Sequence, residues 1–342
     1  VIVSAVLFAA TTAQAAAGAW NIANGDWDVP ENWTPVGVPS AGQVTIGNNG
    51  VCNLDYGAPA ITVLSIQKDS TLNILPGAGL NGSGTSNWLI GDVVTGSYTS
   101  KVYQTGGTAI GYGDLYLGDD TNTYGEYYLS GGSLELKDDL KCADDGGGKF
   151  VLSGDALFTV HGYISITNKP PETTNPDGLT GRMEISGGTL IQDGLSSSGT
   201  DNHRLTVGES DYGVLKLIGG LASISVTTYE QRSTGTLEVV MNGSGISTIN
   251  ATEGMALAGE LKVSFAPGDR PAPGVYDLIV AVGARAGEFT TVTKPDDVTL
   301  SYETGSQIVR LTVVPEPSTI LLAVVAGACL IPLWLRRRKG AR

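Results

Sequence analysis

Residues 115–132 read Leu115-Tyr-Leu-Gly-Asp-Asp-Thr-Asn-Thr-Tyr-Gly-Glu-Tyr-Tyr-Leu-Ser-Gly-Gly132. Two short runs alternate apolar and polar residues, the period of a strand with one buried face, and each closes on glycine. Both phrases recur. The first, a hydrophobic-x-hydrophobic run ending on a small residue, appears as Trp88-Leu-Ile-Gly91, Leu115-Tyr-Leu-Gly118, Leu140-Lys-Cys-Ala143, Ile164-Ser-Ile-Thr167 and Leu205-Thr-Val-Gly208. The second closes on Ser-Gly-Gly or a variant of it, as in Tyr103-Gln-Thr-Gly-Gly107, Tyr128-Leu-Ser-Gly-Gly132, Val151-Leu-Ser-Gly-Asp155, Glu184-Ile-Ser-Gly-Gly188, Leu217-Ile-Gly-Gly220 and Met241-Asn-Gly243. Its first glycines, Gly106, Gly131, Gly154, Gly187, Gly219 and Gly243, lie 25, 23, 33, 32 and 24 residues apart. The two long units hold extra stretches at 168–178, with Pro170, Pro171 and Pro176, and at 195–202, rich in serine; both read as protruding loops.

A period near 24 residues is the mark of stacked repeats, in which neighbouring units share one apolar core. Glycine pairs at constant phase suit corners that need φ > 0. The fold expected is all-β: a single-stranded parallel β-helix, or solenoid, with a C-terminal β cap and a C-terminal transmembrane helix. About seven coils at ~4.8 Å spacing would make a rod of roughly 35 Å. A pair of β-sandwiches or a propeller are the alternatives, and the period is short for a propeller blade of about 40 residues.

The flanks differ from the repeat. Trp20, Trp27 and Trp33 stand in Trp20-Asn-Ile-Ala-Asn-Gly-Asp-Trp27 and Glu31-Asn-Trp33, ahead of Val38-Pro39 and Val44-Thr-Ile46. This opening resembles that of glycine-rich β-helix proteins, including autotransporter-type passenger repeats. The three indoles would cover the open end of the stack, as a cap must; stacking on sugar rings is the competing use. The repeat phrase stops near 256, and 257–313 reads as a C-terminal β cap or small β domain.

Glycine, at 48 of 342 residues, is far above its ordinary share of roughly 7%. Hydrophobic residues make up 41% and charged ones 16%, which excludes a disordered chain. The net charge is −14, and from Val314 onward Arg336, Arg337, Arg338, Lys339 and Arg342 outweigh Glu316, leaving −18 on the remainder. Such a body repels phosphate, so no nucleic-acid partner is expected.

The first ten residues are apolar except Ser4 and lead to Ala13-Gln14-Ala15, a small-x-small site: a signal peptide over 1–17, cut after Ala15 or Ala17. The other end carries Pro315-Glu316-Pro317, an apolar run over 319–335 and then Arg336-Arg337-Arg338. Seventeen residues span roughly 26 Å as a helix, near the lower limit for crossing a bilayer. The basic cluster stays in the cytoplasm and the body lies outside. These three parts in order resemble the PEP-CTERM protein-sorting domain. The resemblance implies recognition by an exosortase, a membrane transpeptidase-like enzyme, with Pro315, Glu316 and Pro317 as the signature and Arg336, Arg337 and Arg338 as its basic end. It also implies an exported body of low cysteine content, often associated with exopolysaccharide. The chain thus divides into a signal peptide (1–17), N-terminal cap and first coils (18–87), glycine-rich repeats (88–256), β cap (257–313) and sorting tail (314–342).

Chemistry in the body is harder to find. Acidic pairs stand at Asp119-Asp120, Asp138-Asp139, Asp144-Asp145 and Asp296-Asp297, with Lys141 beside two of them. Aspartate favours turns for local reasons, and these read as solvated turn residues. A calcium ladder along stacked turns has no supporting loop motif. His161 and His203 are the only histidines, and Ser130 and Ser186 belong to repeated Ser-Gly-Gly corners. No catalytic residue, metal ligand or cofactor is therefore assigned. Cys52 and Cys142 could form one disulfide or remain buried thiols, and Cys329 lies in the terminal apolar run. Asn32, Asn81, Asn242 and Asn250 head Asn-x-Ser/Thr sequences. The function expected is that of an exported, envelope-anchored structural or adhesion-type surface protein, not an enzyme, whose partners are an exosortase-like transpeptidase, the membrane and extracellular polysaccharide. The alternatives are a carbohydrate-active β-helix enzyme, marked by a groove with convergent carboxylates and a lysine or arginine, and a calcium-dependent surface-layer component.

Overall fold

A computed structural model describes residues 17–58, 60–85, 87–92, 96–167, 181–195, 203–303, 305 and 307–315. Residues 1–16 of the signal peptide, Glu316, Pro317, Arg336, Arg337, Arg338, the 319–335 run and the loop at 168–178 lie outside these residues, as does 196–202 of the serine-rich stretch; Pro315 lies inside. Among the described residues no helix is long and apolar enough to cross a membrane.

The protein is all-β, and most of its strands pair in parallel within one long β-helix-like solenoid. Three ladders run along it. The first face takes Trp88–Ile90, Leu115–Leu117, Leu140–Cys142, Ile164–Ile166 and Leu205–Val207 in register, so the first sequence phrase is one column of strands. The second face takes the start of Thr123–Leu136, then Gly147–Leu152, Gly181–Ile185, Gly213–Ile218, Gly235–Met241 and Glu260–Phe265. The third takes the end of Thr123–Leu136, then Leu157–Val160, Thr189–Gln192 and the start of Ser223–Gln231.

Alternation decides which side chains enter. Trp88, Ile90, Leu115, Leu117, Leu140, Cys142, Ile164, Ile166, Leu205 and Val207 all point inward and are buried. Tyr127, Phe150 and Phe158 stack inside at 5.5 and 4.4 Å between centroids. Each apolar side chain so buried contributes about 1.5–3 kcal/mol, and no coil could bury them alone. The small residue ending the first phrase is needed by the turn that follows: Gly91, Gly118, Ala143, Thr167 and Gly208 all take φ between +63° and +80°. At the other corner only one glycine of each pair does so, Gly107, Gly132 and Gly188, while in Ser-Gly-Asp it is Gly154.

Three features depart from the sequence reading. The stack is longer than the seven coils expected: on the second face Asn24–Asp26, Val51–Leu54 and Thr71–Ile74 precede the phrased coils, within the 18–87 stretch read as cap and first coils, and Thr291–Thr293 follows Glu260–Phe265. Val51–Leu54 and Thr71–Ile74 keep strand alternation, and none of the four strands carries the glycine phrase. Next, Lys216 pairs with Glu238, a step of 22 residues, so Met241 and not Gly243 takes the corner phase of Gly219. Finally, parallel pairing runs past 256, and at the C-terminal end Gly274–Ala281, Ile308–Val313 and Val298–Glu303 form an antiparallel sheet.

At the N-terminal end Gly18–Trp20 pairs antiparallel with Trp33–Thr34. Trp20, Trp27 and Trp33 are all buried, meeting edge-to-face at 4.9 and 5.0 Å, and the Trp33 indole N–H donates to the Trp27 carbonyl at 2.8 Å. None of the three is exposed for stacking on a sugar. Cys52 and Cys142 are free, buried thiols, and burial pushes both upward in pKa, with Asp26 adding to the effect at Cys52.

Candidate functional site: an acidic groove on the first face

The middle residue of each first-face strand points outward. These residues align as Ser65, Leu89, Tyr116, Lys141, Ser165, Thr206 and Glu230. The residue just before each strand lies in a second column: Asn87, Asp114, Asp139 and Tyr163. There the side chains of Asn87, Asp114 and Asp139 each cap the next coil. Asn87 Oδ1 accepts the Asp114 N–H at 3.0 Å, Asp114 Oδ1 that of Asp139 at 3.3 Å, and Asp139 Oδ1 that of Tyr163 at 2.9 Å. The turns after the strands supply Asp119, Asp120, Asp144 and Asp145.

Between these rims lies a groove of about 520 Å³, lined by Val63, Leu89 and Tyr116 with Thr85, Asn87 and the four turn aspartates. Burial, then the charges of Asp144, Asp92, Asp120 and Asp145, push the Asp119 carboxyl up to about 6. Asp139 is pushed up to about 7, chiefly by burial and then by Asp114 and Asp138, against the opposing pull of the Tyr163 N–H. Lys141 Nζ donates to Asp114 Oδ2 at 2.5 Å and to the Tyr116 hydroxyl at 3.1 Å, lies 3.8 Å from Asp139 Oδ2, and sits 4.8 Å from the Tyr116 ring centroid. Burial disfavours its charge, but the hydrogen bonds to Asp114 and Tyr116 outweigh that and its pKa rises. The Tyr116 hydroxyl, pushed up to about 12 mainly by burial, donates to Asp114 Oδ2 at 2.9 Å.

The acidic pairs thus have unlike roles. Asp119, Asp120, Asp144 and Asp145 line the groove, Asp139 caps a coil, and Asp297 pairs with Arg270 at the C-terminal end. Carboxylate oxygens of Asp114, Asp138 and Asp139 lie within 4.8 Å of one another, the spacing of metal ligands, but the Lys141 ammonium already sits against this group. Farther along the face arginines neutralise the acids: Arg204 meets Glu209 at 3.3 Å and Glu230 at 3.1 Å, and Arg232 meets Glu230 at 2.8 Å.

The remaining candidates lie elsewhere. His161 is held between Asp193 at 2.9 Å and Glu135 at 2.8 Å. The His203 ring lies beside Gly194. Ser130 Oγ donates to the Gln104 carbonyl at 3.4 Å. Of the four Asn-x-Ser/Thr asparagines, Asn32 is buried and Asn81 is exposed. The sequence reading passed over Asn87, Asp114 and Tyr116. Their signal was present, since Asn87, Asp114 and Asp139 each stand one place before a repeated apolar run.

Compared with protein families, curated proteins and solved structures, the chain gives no match.

Proposed function

We propose that this is an exported, envelope-anchored surface protein of structural or adhesion type that holds extracellular polysaccharide along its first face. The groove at Tyr116, Asp119, Asp120, Asp144 and Asp145 carries the reading. Carboxylates accept hydrogen bonds from sugar hydroxyls, while Leu89 and Tyr116 offer apolar surface to the C–H side of a ring. The acidic lining favours neutral or amino-bearing glycans over acidic ones. Delivery rests on the sequence: the resemblance to the PEP-CTERM sorting domain, with Pro315, Glu316, Pro317 and Arg336 to Arg338 as its marks and an exosortase-like transpeptidase as partner. A glycan array is expected to give neutral or amino-sugar polymers as ligands, lost in the double variant Asp119→Asn/Asp144→Asn. Equal binding of acidic polymers would sink the groove reading. Mass spectrometry of the mature C-terminus from hosts with and without exosortase tests delivery, and identical intact tails in both would refute it.

A carbohydrate-active enzyme is the second reading, favoured by two carboxyls, Asp119 and Asp139, raised into the range of a general acid at neutral pH. Against it, Asp139 already caps the Tyr163 N–H, and Lys141 is engaged by Asp114. Release of new reducing ends or unsaturated products from a bound glycan, abolished in Asp119→Asn, would establish it.

A further inference from the structure

The corner after Gly235–Met241 carries Asn242-Gly243-Ser244-Gly245 in a tight turn, with Asn242 N–H donating to the Gly245 carbonyl at 3.2 Å and Gly245 N–H to the Asn242 carbonyl at 2.8 Å. Two donors converge on the Asn242 side-chain oxygen: Ser244 N–H at 2.9 Å and Ser244 Oγ at 2.6 Å. The next backbone nitrogen, that of Gly243, donates to the Asp269 carboxylate at 3.0 Å. The absence of a side chain at Gly243 leaves room for this contact, since a Cβ there would lie 2.5 Å from Asp269 Oδ1 and the carboxylate would have to move. The amide nitrogen of Asn242 lies over Gly219, another position without a side chain.

These are the parts of an acyl transfer within one dipeptide: a polarised carbonyl, a nucleophilic nitrogen one residue on, and a carboxylate on that nitrogen's proton. We propose that Asn242 is a self-modification site that cyclises with Gly243 to a succinimide and opens to aspartate or isoaspartate. The Gly243 nitrogen bonds to Asn242 Cγ and gives its proton to Asp269. The carbonyl electron pair moves to Oδ1, where the two Ser244 donors hold it. Its return breaks the Cγ–Nδ2 bond, and Nδ2 takes the proton from Asp269 and leaves as ammonia. Water then opens the ring at either carbonyl. The step is redox-neutral and water is the only co-reactant. The product adds one negative charge at this corner, and isoaspartate also lengthens the backbone there.

The chain holds its own controls. Gly25, Gly50 and Gly82 also follow asparagine, and the N–H groups of Gly82 and Gly50 face neutral acceptors, the Ile110 carbonyl at 2.6 Å and Ser70 Oγ at 3.1 Å. The test is peptide mass spectrometry of the purified chain during incubation at mildly alkaline pH, in heavy-oxygen water, with isoaspartate resolved by fragmentation. Conversion at Asn242 is expected to outrun that at Asn81 and Asn49, and to be faster in the folded protein than in denaturant. Asp269→Asn and Ser244→Ala are each expected to slow it about tenfold, a modest share of what a positioned base or donor supplies. Conversion in the folded chain no faster than in denaturant, or unchanged in both variants, would overturn the proposal. The folded-against-denatured comparison uses the unaltered chain, so it stands even if a variant fails to fold.

Discussion

At the scale of single residues, the aspartates beside the groove do structural and electrostatic work together. Asp139 is nearly buried, and burial pushes its carboxyl, ordinarily near 3.8, up to about 7 against the opposing pull of the Tyr163 N–H that it accepts. The folded chain therefore keeps a proton that the unfolded chain releases. Stability from this group is full below the ordinary carboxyl range and declines as pH rises toward about 7. Asp139→Asn keeps the acceptor and removes the ionisation. Its melting temperature is expected to exceed that of the parent at about pH 8 and to match it near pH 4, each side of the shift. A parent that melts higher at both values would show that the charge contact with Lys141 dominates instead. Asp119, raised mainly by burial and then by its acidic neighbours, gains stability in the same direction on neutralisation, so Asp119→Asn separates glycan binding from fold damage.

At the scale of the element, the turn after each first-face strand is the feature most exposed to substitution. Gly118 has φ +70°, and a Cβ there would lie 2.2 Å from the Gly147 carbonyl oxygen of the next coil. The left-handed backbone alone costs an L side chain about 1–2 kcal/mol, and the clash adds to it. Gly118→Ala is expected to lose about 2 kcal/mol or more in urea unfolding. Ala143 occupies the equivalent turn at φ +63°, where its side chain is already strained. Ala143→Gly relieves that strain at some entropic cost, for an expected net gain of about 0.5–1 kcal/mol in the same experiment. Opposite signs for two glycine–alanine exchanges in one column would follow from backbone conformation and not from residue size.

At the scale of the whole molecule, stability is a sum over coils and their interfaces, so damage at one end need not reach the other. Trp33 is fully buried at the N-terminal end, against Trp20 and Trp27. Trp33→Ala is expected to cost about 3–5 kcal/mol locally. Hydrogen exchange should rise through the first coils while Leu205–Val207 and Gly235–Met241 keep their protection. Uniform loss along the chain would mean that the stack unfolds as one unit. The groove also depends on this scale. Its aspartates come from two successive coils, those of Tyr116 and Asp144, and Arg204 and Arg232 pair with acids of the same face farther on.

The sequence alone determined the strand alternation, the repeat near 24 residues and the need for small residues at the turns, because each depends on a residue's own backbone and on near neighbours. Gly118 and Gly132 were legible in that way, and so was the choice of which side chains face the core. The tertiary structure alone decided that Asn87, Asp114 and Asp139 form a capping column, that Lys141 is paired within it, and that Asp119, Asp120, Asp144 and Asp145 share a groove. These contacts join residues a whole coil apart. Their geometry follows from coil length and register, which the closed stack fixes: the 22-residue step from Lys216 to Glu238 shows how a glycine count can misplace a corner by two residues.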